Sequence, residues 1–506
     1  MSYKIYKVTK NETVCEDYEV KINGKAVELN TARVSAVPFN RRWPGHQRGI
    51  EQSELINFVS LASNEKLKFE IKSKRPFNQL TVRPKCEYIT PTVDENGVVS
   101  FEYDGNGYFT VEPYGRNNAL HIFIDPIDEY NVDFSDPNTI YFGAGEHNVG
   151  FITLKSNQTL FLDEGAVVYA CVRAKDAENI KILGRGILDN SKNKEKILFE
   201  ANEENNDSAV KNVVREHTVQ LEYCTNIEID GITIRDSLVY NIRPVACKNI
   251  KISNIKIIGC WRYNSDGIDM HNCENVLIDN CFIRTFDDSI CVKGFDCYYK
   301  GDVEKAVHDA MYRNGKSYDV FKNVSVKNCV IWNDWGKCLE IGAETRAEEI
   351  CDVVFENCNI IHVNSSVLDC LNVDYADVHD ITFKNIQVEY DDIIPASLLQ
   401  KNDSEIYVNP DIDYSPNLLS SSVVFHHEYS AGGNRRGINR NITFENIYLF
   451  GRHKPKMLFE GFDESHKTKD ITIKNLYLNG ELIRSFNEVE LYKNEFTENI
   501  KLIAED

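Results

Sequence analysis

Alternation of apolar and polar residues recurs along this chain as one short unit. The unit starts with Asn or Asp, runs through alternating aliphatics, often meets Asn-Cys or Asn-Ile, and alternates again. It reads NIKILGRGIL from Asn179, NIEIDGITI from Asn226, NIKISNIKI from Asn249, NVLIDNCFI from Asn275 and NVSVKNCVI from Asn323. It continues as DVVFENCNI from Asp352, DITFKNIQV from Asp380, NITFENIYL from Asn441 and DITIKNLYL from Asp470. Successive starts are 47, 23, 26, 48, 29, 28, 61 and 29 residues apart. The steps of 47 and 48 fit a doubled coil or one coil with an insertion, and the step of 61 fits a long insertion.

Period two marks strands with one buried face. A unit of about 22 to 29 residues is too short to bury that face alone, whereas stacked units share one continuous core. No amphipathic helical stretch separates the strands. The expected fold is therefore all-β: a right-handed parallel β-helix over residues 138–506, with insertions near 295–320 and 391–439. Residues 1–137 lack the repeat. Their alternating segments LKFEIKSK, FNQLTVRPK and HIFIDPI, broken by Gly, Pro and Asn, predict a small β-sandwich. Long insertions in a solenoid usually emerge on one face and shape a binding site.

The cysteines follow the same repeat. Cys224, Cys247 and Cys273 each lie two residues before the unit's Asn, and Cys281, Cys329 and Cys358 each lie six after its start. They predict two inward files of small apolar side chains. No CxxC pair accompanies them, and His426-His427-Glu428 lacks HExxH spacing, so no metal and no cofactor is expected.

Composition narrows the partners. A net charge of −21 argues against nucleic acid and anionic membrane, and no apolar run approaches the roughly 18 residues that span a bilayer. The N-terminal stretch lacks the apolar core and cleavage site of a signal peptide. With fifteen cysteines, an odd number, the expectation is reduced thiols in a cytoplasmic protein, or a secreted one if a leader has been removed. Nothing here sets the oligomeric state.

The candidate chemistry lies in WRYNSDGIDMHNCENVLIDNCFIRTFDDSICVKG. Asp266 precedes Asp287 and Asp288 by 21 and 22 residues, close to one coil. Residues one coil apart stack about 4.8 Å apart, so three carboxylates are expected to converge on one face. Crowding raises at least one pKa, which suits glycoside hydrolysis: one protonated acid for the leaving oxygen and one ionised base for water. An inverting site holds that water between carboxyl groups roughly 6.5 to 9.5 Å apart. Because strand residues alternate faces, both aspartates of the pair reach the cleft only if the backbone is irregular there.

The segment resembles glycoside hydrolase family 28, the polygalacturonase family. Its Asn-x-Asp and Asp-Asp match Asn264-Ser265-Asp266 and Asp287-Asp288, and Arg215 to Leu221 and Asp236 to Val245 (DSLVYNIRPV) are also similar. Asn118 to Pro126 and Leu154 to Val172 resemble the dextranase and isopullulanase family of the same clan, which carries a β-sandwich before its β-helix. The resemblance implies an inverting, α-specific hydrolase of an oligo- or polysaccharide. It makes Asp287 the general acid, with Asp266 and Asp288 activating the water. Two of the family's motifs are missing. Trp335-Gly336-Lys337-Cys338 stands where Gly-His-Gly is expected, and Leu368 to Asn372 where Arg-Ile-Lys is expected. Both departures argue against ordinary polygalacturonase activity.

Candidate substrate-binding residues are Asn264, Arg262, Lys293, Trp335, Lys337, Glu340, Glu344 and Arg346, with Trp261, Tyr298, Tyr299 and Trp332 as further aromatic platforms. Two other functions remain open on the same fold. One is a Ca²⁺-dependent lyase or epimerase with Lys293 or Lys337 as base. The other is a non-catalytic carbohydrate-binding β-helix. The insertions favour exo action on short chains, because loops can wall off one end of a groove.

Overall fold

The computed structural model describes residues 3–505 except 11, 13, 37–46, 88, 128, 194–195, 198–212, 215, 297–301, 391–413, 427–429 and 431–434. From Thr139–Phe142 to Thr497–Ile503, 30 strands join one sheet system in which each coil pairs in parallel with the next. The repeat aligns in register. Ile227, Ile250, Val276, Val324, Val353, Ile381, Ile442 and Ile471 form one file of directly paired residues. All eight lie in the continuous core of the solenoid. Full burial of each such side chain contributes roughly 1.5–3 kcal/mol.

The Asn that opens each unit sits at a bend in the left-handed region. Asn157, Asn179, Asn226, Asn249, Asn275 and Asn323 have φ between 56° and 66°, which Asn tolerates and β-branched residues do not. From Asn179 on, each side-chain amide donates to the carboxamide oxygen of the one before it in this series, at 2.8–3.0 Å. The repeated Asn is therefore both a backbone requirement and a hydrogen-bond ladder. The thiol files also form: Cys247 lies between Cys224 and Cys273, and Cys329 between Cys281 and Cys358, all fully buried. The described cysteines are free thiols.

Before the solenoid, residues 3–125 form a six-stranded and a five-stranded sheet. They enclose a core that includes Val20, Ile22, Phe69, Phe101, Phe109 and Ile122. A second apolar layer, with Phe58, Phe123, Phe282 and Trp332, joins this sandwich to the flank of the β-helix. Buried charges are paired across the join: Lys256 with Asp125 at 2.8 Å, and Arg83 with both Glu112 and Glu389.

The insertions differ from expectation. The segment after Phe295 contains a helix, Val303–Met311, which the alternation did not suggest. Asp302 caps it by accepting from the Lys305 N–H at 3.0 Å, and Val307 and Met311 pack with Val245 and Ala246. The stretch 391–439 is not one insertion. Asn417–Val423 pairs in parallel with Ser366–Asn372 and Lys456–Glu460, so it is a solenoid strand. Its run of three serines, Ser420 to Ser422, hides the aliphatic alternation on which the repeat was recognised. Residues 391–413 of that stretch lie outside the described residues. Among the described residues no helix is long and apolar enough to cross a membrane.

Candidate active site

Asp266 lies two residues before the strand Ile268–His271, and Asp287-Asp288 precede Ile290–Lys293, which pairs with it through Ile268 and Ile290. The Gly267 N–H donates to the Asp288 carbonyl at 2.8 Å, so the two coils are bonded at the site itself. The irregularity that lets both aspartates face the cleft is a turn. Asp287 and Asp288 lie between Phe282–Thr285 and Ile290–Lys293, where strand alternation does not apply. The turn is held from behind. Thr285 Oγ1 donates to the Asp287 carbonyl at 2.6 Å, and the Asn333 amide donates to the same carbonyl at 2.7 Å and to that of Lys337 at 3.0 Å.

Gly336 backs the same turn. A Cβ there would lie 2.6 Å from Asp287 C and Asp288 N and 2.7 Å from Asp288 Oδ1. Gly336→Ala is expected to shift the aspartate pair and lower kcat by roughly a hundredfold, with the fold retained by circular dichroism. Activity within threefold of wild type would show that the pair tolerates displacement.

The trio converges. Oxygens of Asp266, Asp287 and Asp288 lie within 4.8 Å of one another. That is shorter than the spacing expected of a two-carboxylate inverting site, because one coil of the solenoid separates Asp266 from Asp288. Lys293 fills the centre: its Nζ is 3.7 Å from Asp266, 3.0 Å from Asp269, 3.7 Å from Asp288 and 3.6 Å from Glu344. Lys337 pairs with Glu340 and lies 2.7 Å from Asp369, and its N–H donates to Asp288 Oδ1 at 3.0 Å.

Burial, then the charge of Asp288, pushes the Asp287 carboxyl up to about 8, although Lys293 and the Asn264 N–H pull it down. Burial, then Asp269 and Asp287, holds Asp266 well above the usual carboxylate range. Burial also raises Asp269. Burial opposes the charge on Lys293, but Asp269, Glu344 and Tyr240 outweigh it and the ammonium is retained. The cluster thus keeps protons near neutral pH while holding a fixed cation at its centre.

Other expected residues serve elsewhere. Asn264 contributes its backbone N–H, which donates to Asp287 Oδ2 at 3.1 Å. Arg262 pairs with Asp236 and stacks on Trp261, whose Nε1 donates to the same carboxylate at 3.0 Å. Arg346 pairs with Asp374 at 3.1 Å, one residue from the Thr345 that follows Glu344. Trp335 stacks on Phe286 with ring centroids 5.4 Å apart and meets Tyr263 edge-on, so its ring is a packing element. Trp332 is fully buried against His121 and His362, beneath the sandwich, and is no sugar platform. Tyr298, Tyr299, His427 and Glu428 lie outside the described residues.

The sequence reading missed Asp269 and Asp369. Asp269, Cys291, Glu340, Asp369 and Ser420 stand directly opposite one another on successive strands and form one polar file. The signal was an aspartate between apolar neighbours within a strand, as in Ile268-Asp269-Met270 and Leu368-Asp369-Cys370.

A family model, Glycosyl hydrolases family 28, matches residues 146–394. A probable polygalacturonase of Vitis vinifera is 29% identical over 211 residues, covering 36% of this chain and 43% of that protein. A polygalacturonase of Gossypium barbadense is 28% identical over 213 residues, covering 39% and 49%. The chain thus spans less than half the length of these curated relatives. Among solved structures, Dex49A from Penicillium minioluteum superposes with a TM-score of 0.62 at 13% identity, over 96% of this chain and 94% of that one. A hyperthermoactive exopolygalacturonase from Thermotoga maritima gives 0.51 at 19% identity, over 72% and 84%. These two likenesses speak for the fold, the first along nearly the whole chain. Residues 146–394 thus resemble glycosyl hydrolases family 28, within a polygalacturonase-like β-helix.

Proposed function

We propose that the cleft hydrolyses α-linked glycosidic bonds in an oligo- or polysaccharide, with inversion and from a chain end. The observation that carries this reading is the trio Asp266, Asp287 and Asp288 gathered around Lys293. Asp287 retains its proton to about pH 8 and gives it to the leaving oxygen. Asp266 and Asp288 hold the attacking water. Asp266 Oδ1 is a buried acceptor without a hydrogen-bond partner in the protein, and Lys293 holds the neighbouring Oδ2 of both residues at 3.7 Å. A carboxylate pinned by that ammonium is a poor nucleophile but a good water acceptor. This favours inversion although the carboxyls stand closer than in a two-carboxylate site. The same ammonium occupies the centre that a divalent cation would need, which weighs against a Ca²⁺-assisted lyase.

Proton NMR of freshly cleaved α-linked substrate tests the reading. The expected result is a β-configured product released from chain ends, at a rate unaltered by chelator. A retained α-anomer would replace the water with an enzyme nucleophile. An unsaturated, ultraviolet-absorbing product that disappears with EDTA and returns with Ca²⁺ would establish the lyase instead.

A further inference from the structure

Lys337, whose backbone N–H donates to Asp288 Oδ1, also lines a groove of about 250 Å³ together with Ser366, Asp369, Asn417, Ser420 and Ser422. It follows the polar file: Glu340 is opposite Asp369, and Asp369 opposite Ser420. The part next to the trio is closed upon itself electrostatically. Lys337, the one cation there among the described residues, is held by two carboxylates, Glu340 and Asp369. Asp369 in turn accepts from Ser420 Oγ at 2.5 Å, and Ser420 lies 3.1 Å from Ser366 Oγ. The other lysine lining the groove, Lys456, stands on the far strand Lys456–Glu460, together with Glu460.

We propose that this groove is the subsite for an uncharged, hydroxyl-rich sugar unit, and that Asp369 excludes a uronate from it by holding Lys337. The inference rests on the glycosidase reading of the trio and specifies the substrate class of that site. A uronate placed here would bring its carboxylate beside Glu340 and Asp369, and Lys337 would have to leave one of them to receive it. Moving a charge from water to a site already filled with like charge costs far more than moving a hydroxyl. The serines offer what a neutral sugar needs: hydroxyls that both donate and accept. Burial works against the charge on Lys337, but Asp369, Glu340 and Asp288 more than restore it, so the ammonium stays locked rather than deprotonated.

The test varies charge at fixed ring and linkage. Short α-linked galacturonate oligomers and their carboxyl-reduced counterparts, which carry the same linkage without charge, are compared on the full-length protein. Wild type is expected to favour the neutral oligomer by roughly tenfold or more in kcat/KM. Asp369→Asn leaves Lys337 with Glu340 alone and is expected to shrink that preference by about tenfold. Binding to the Asp287→Asn protein, followed calorimetrically, reads the same preference without turnover. A neutral preference in binding with no hydrolysis of either oligomer would sustain the subsite and sink the glycosidase reading. An anionic preference in wild type, or no binding of either form, would overturn the subsite. Should Asp369→Asn fail to fold, the wild-type comparison still decides.

Discussion

Asp287→Asn is expected to lower turnover roughly a hundred- to ten-thousand-fold on an oligosaccharide whose leaving group is another sugar. On an activated aryl glycoside the loss is expected to stay within about tenfold, because a phenolate leaves with little protonation. The difference follows from the position of Asp287. It is the buried member of the adjacent pair, it is raised to about 8 by burial and then by Asp288, and it is the member that Asn264 contacts through a backbone N–H. An acid must carry its proton, so kcat/KM on the sugar substrate should fall as pH rises past about 8. The same limb should vanish for Asp287→Asn on the aryl glycoside. Asp266→Asn and Asp288→Asn are expected to damage both substrates alike, since each still needs the attacking water. Equal loss on both substrates with Asp287→Asn would take the proton-donor role away from it.

The parts of this molecule legible in sequence are those written in a repeat. The Asn at each unit start stands at a left-handed bend that recurs coil after coil, so the same residue recurs at the same place. The thiol files are visible for the same reason: Cys281, Cys329 and Cys358 occupy one position in three consecutive coils. Asp266 and the Asp287-Asp288 pair were legible because one coil separates them. Features that break the period were not. Asn417–Val423 is a solenoid strand without the aliphatic pattern, and the helix Val303–Met311 belongs to no coil. Side-chain pairing was also out of reach. Arg262, Lys337 and Arg346 look alike as candidate cations in sequence. The fold gives each a different carboxylate, Asp236, Asp369 and Asp374, which lie 26, 32 and 28 residues away. Those separations approximate one coil, so the partners come from neighbouring turns of the solenoid, and only the register decides which residues meet.

Lys293→Met is expected to cost turnover at neutral pH about a hundredfold or more and to move the acidic limb of the pH–rate profile upward. Lys293 lies within 3.7 Å of carboxylate oxygens of Asp266, Asp269, Asp288 and Glu344. It pulls down the carboxyls of Asp266, Asp269 and Asp287 against burial. Without it those groups rise further, and Asp266 holds its proton to a higher pH than in wild type. The sign for stability follows from linkage. A carboxyl whose folded pKa lies above its unfolded value of about 3.9 contributes stability that is complete below that value and is lost as pH rises through the folded pKa. Lys293→Met extends that loss upward in pH, so the gap in melting temperature from wild type should be smallest near pH 4 and widen through pH 8. Leaving buried carboxylates without their cation costs about 3–5 kcal/mol at the alkaline end. Lys293→Arg keeps the charge with a different reach and is expected to restore the stability gap more fully than the turnover. If Lys293→Met kept its turnover within threefold, and its melting temperature followed wild type across this range, the carboxylates would have to be held by something other than the central ammonium.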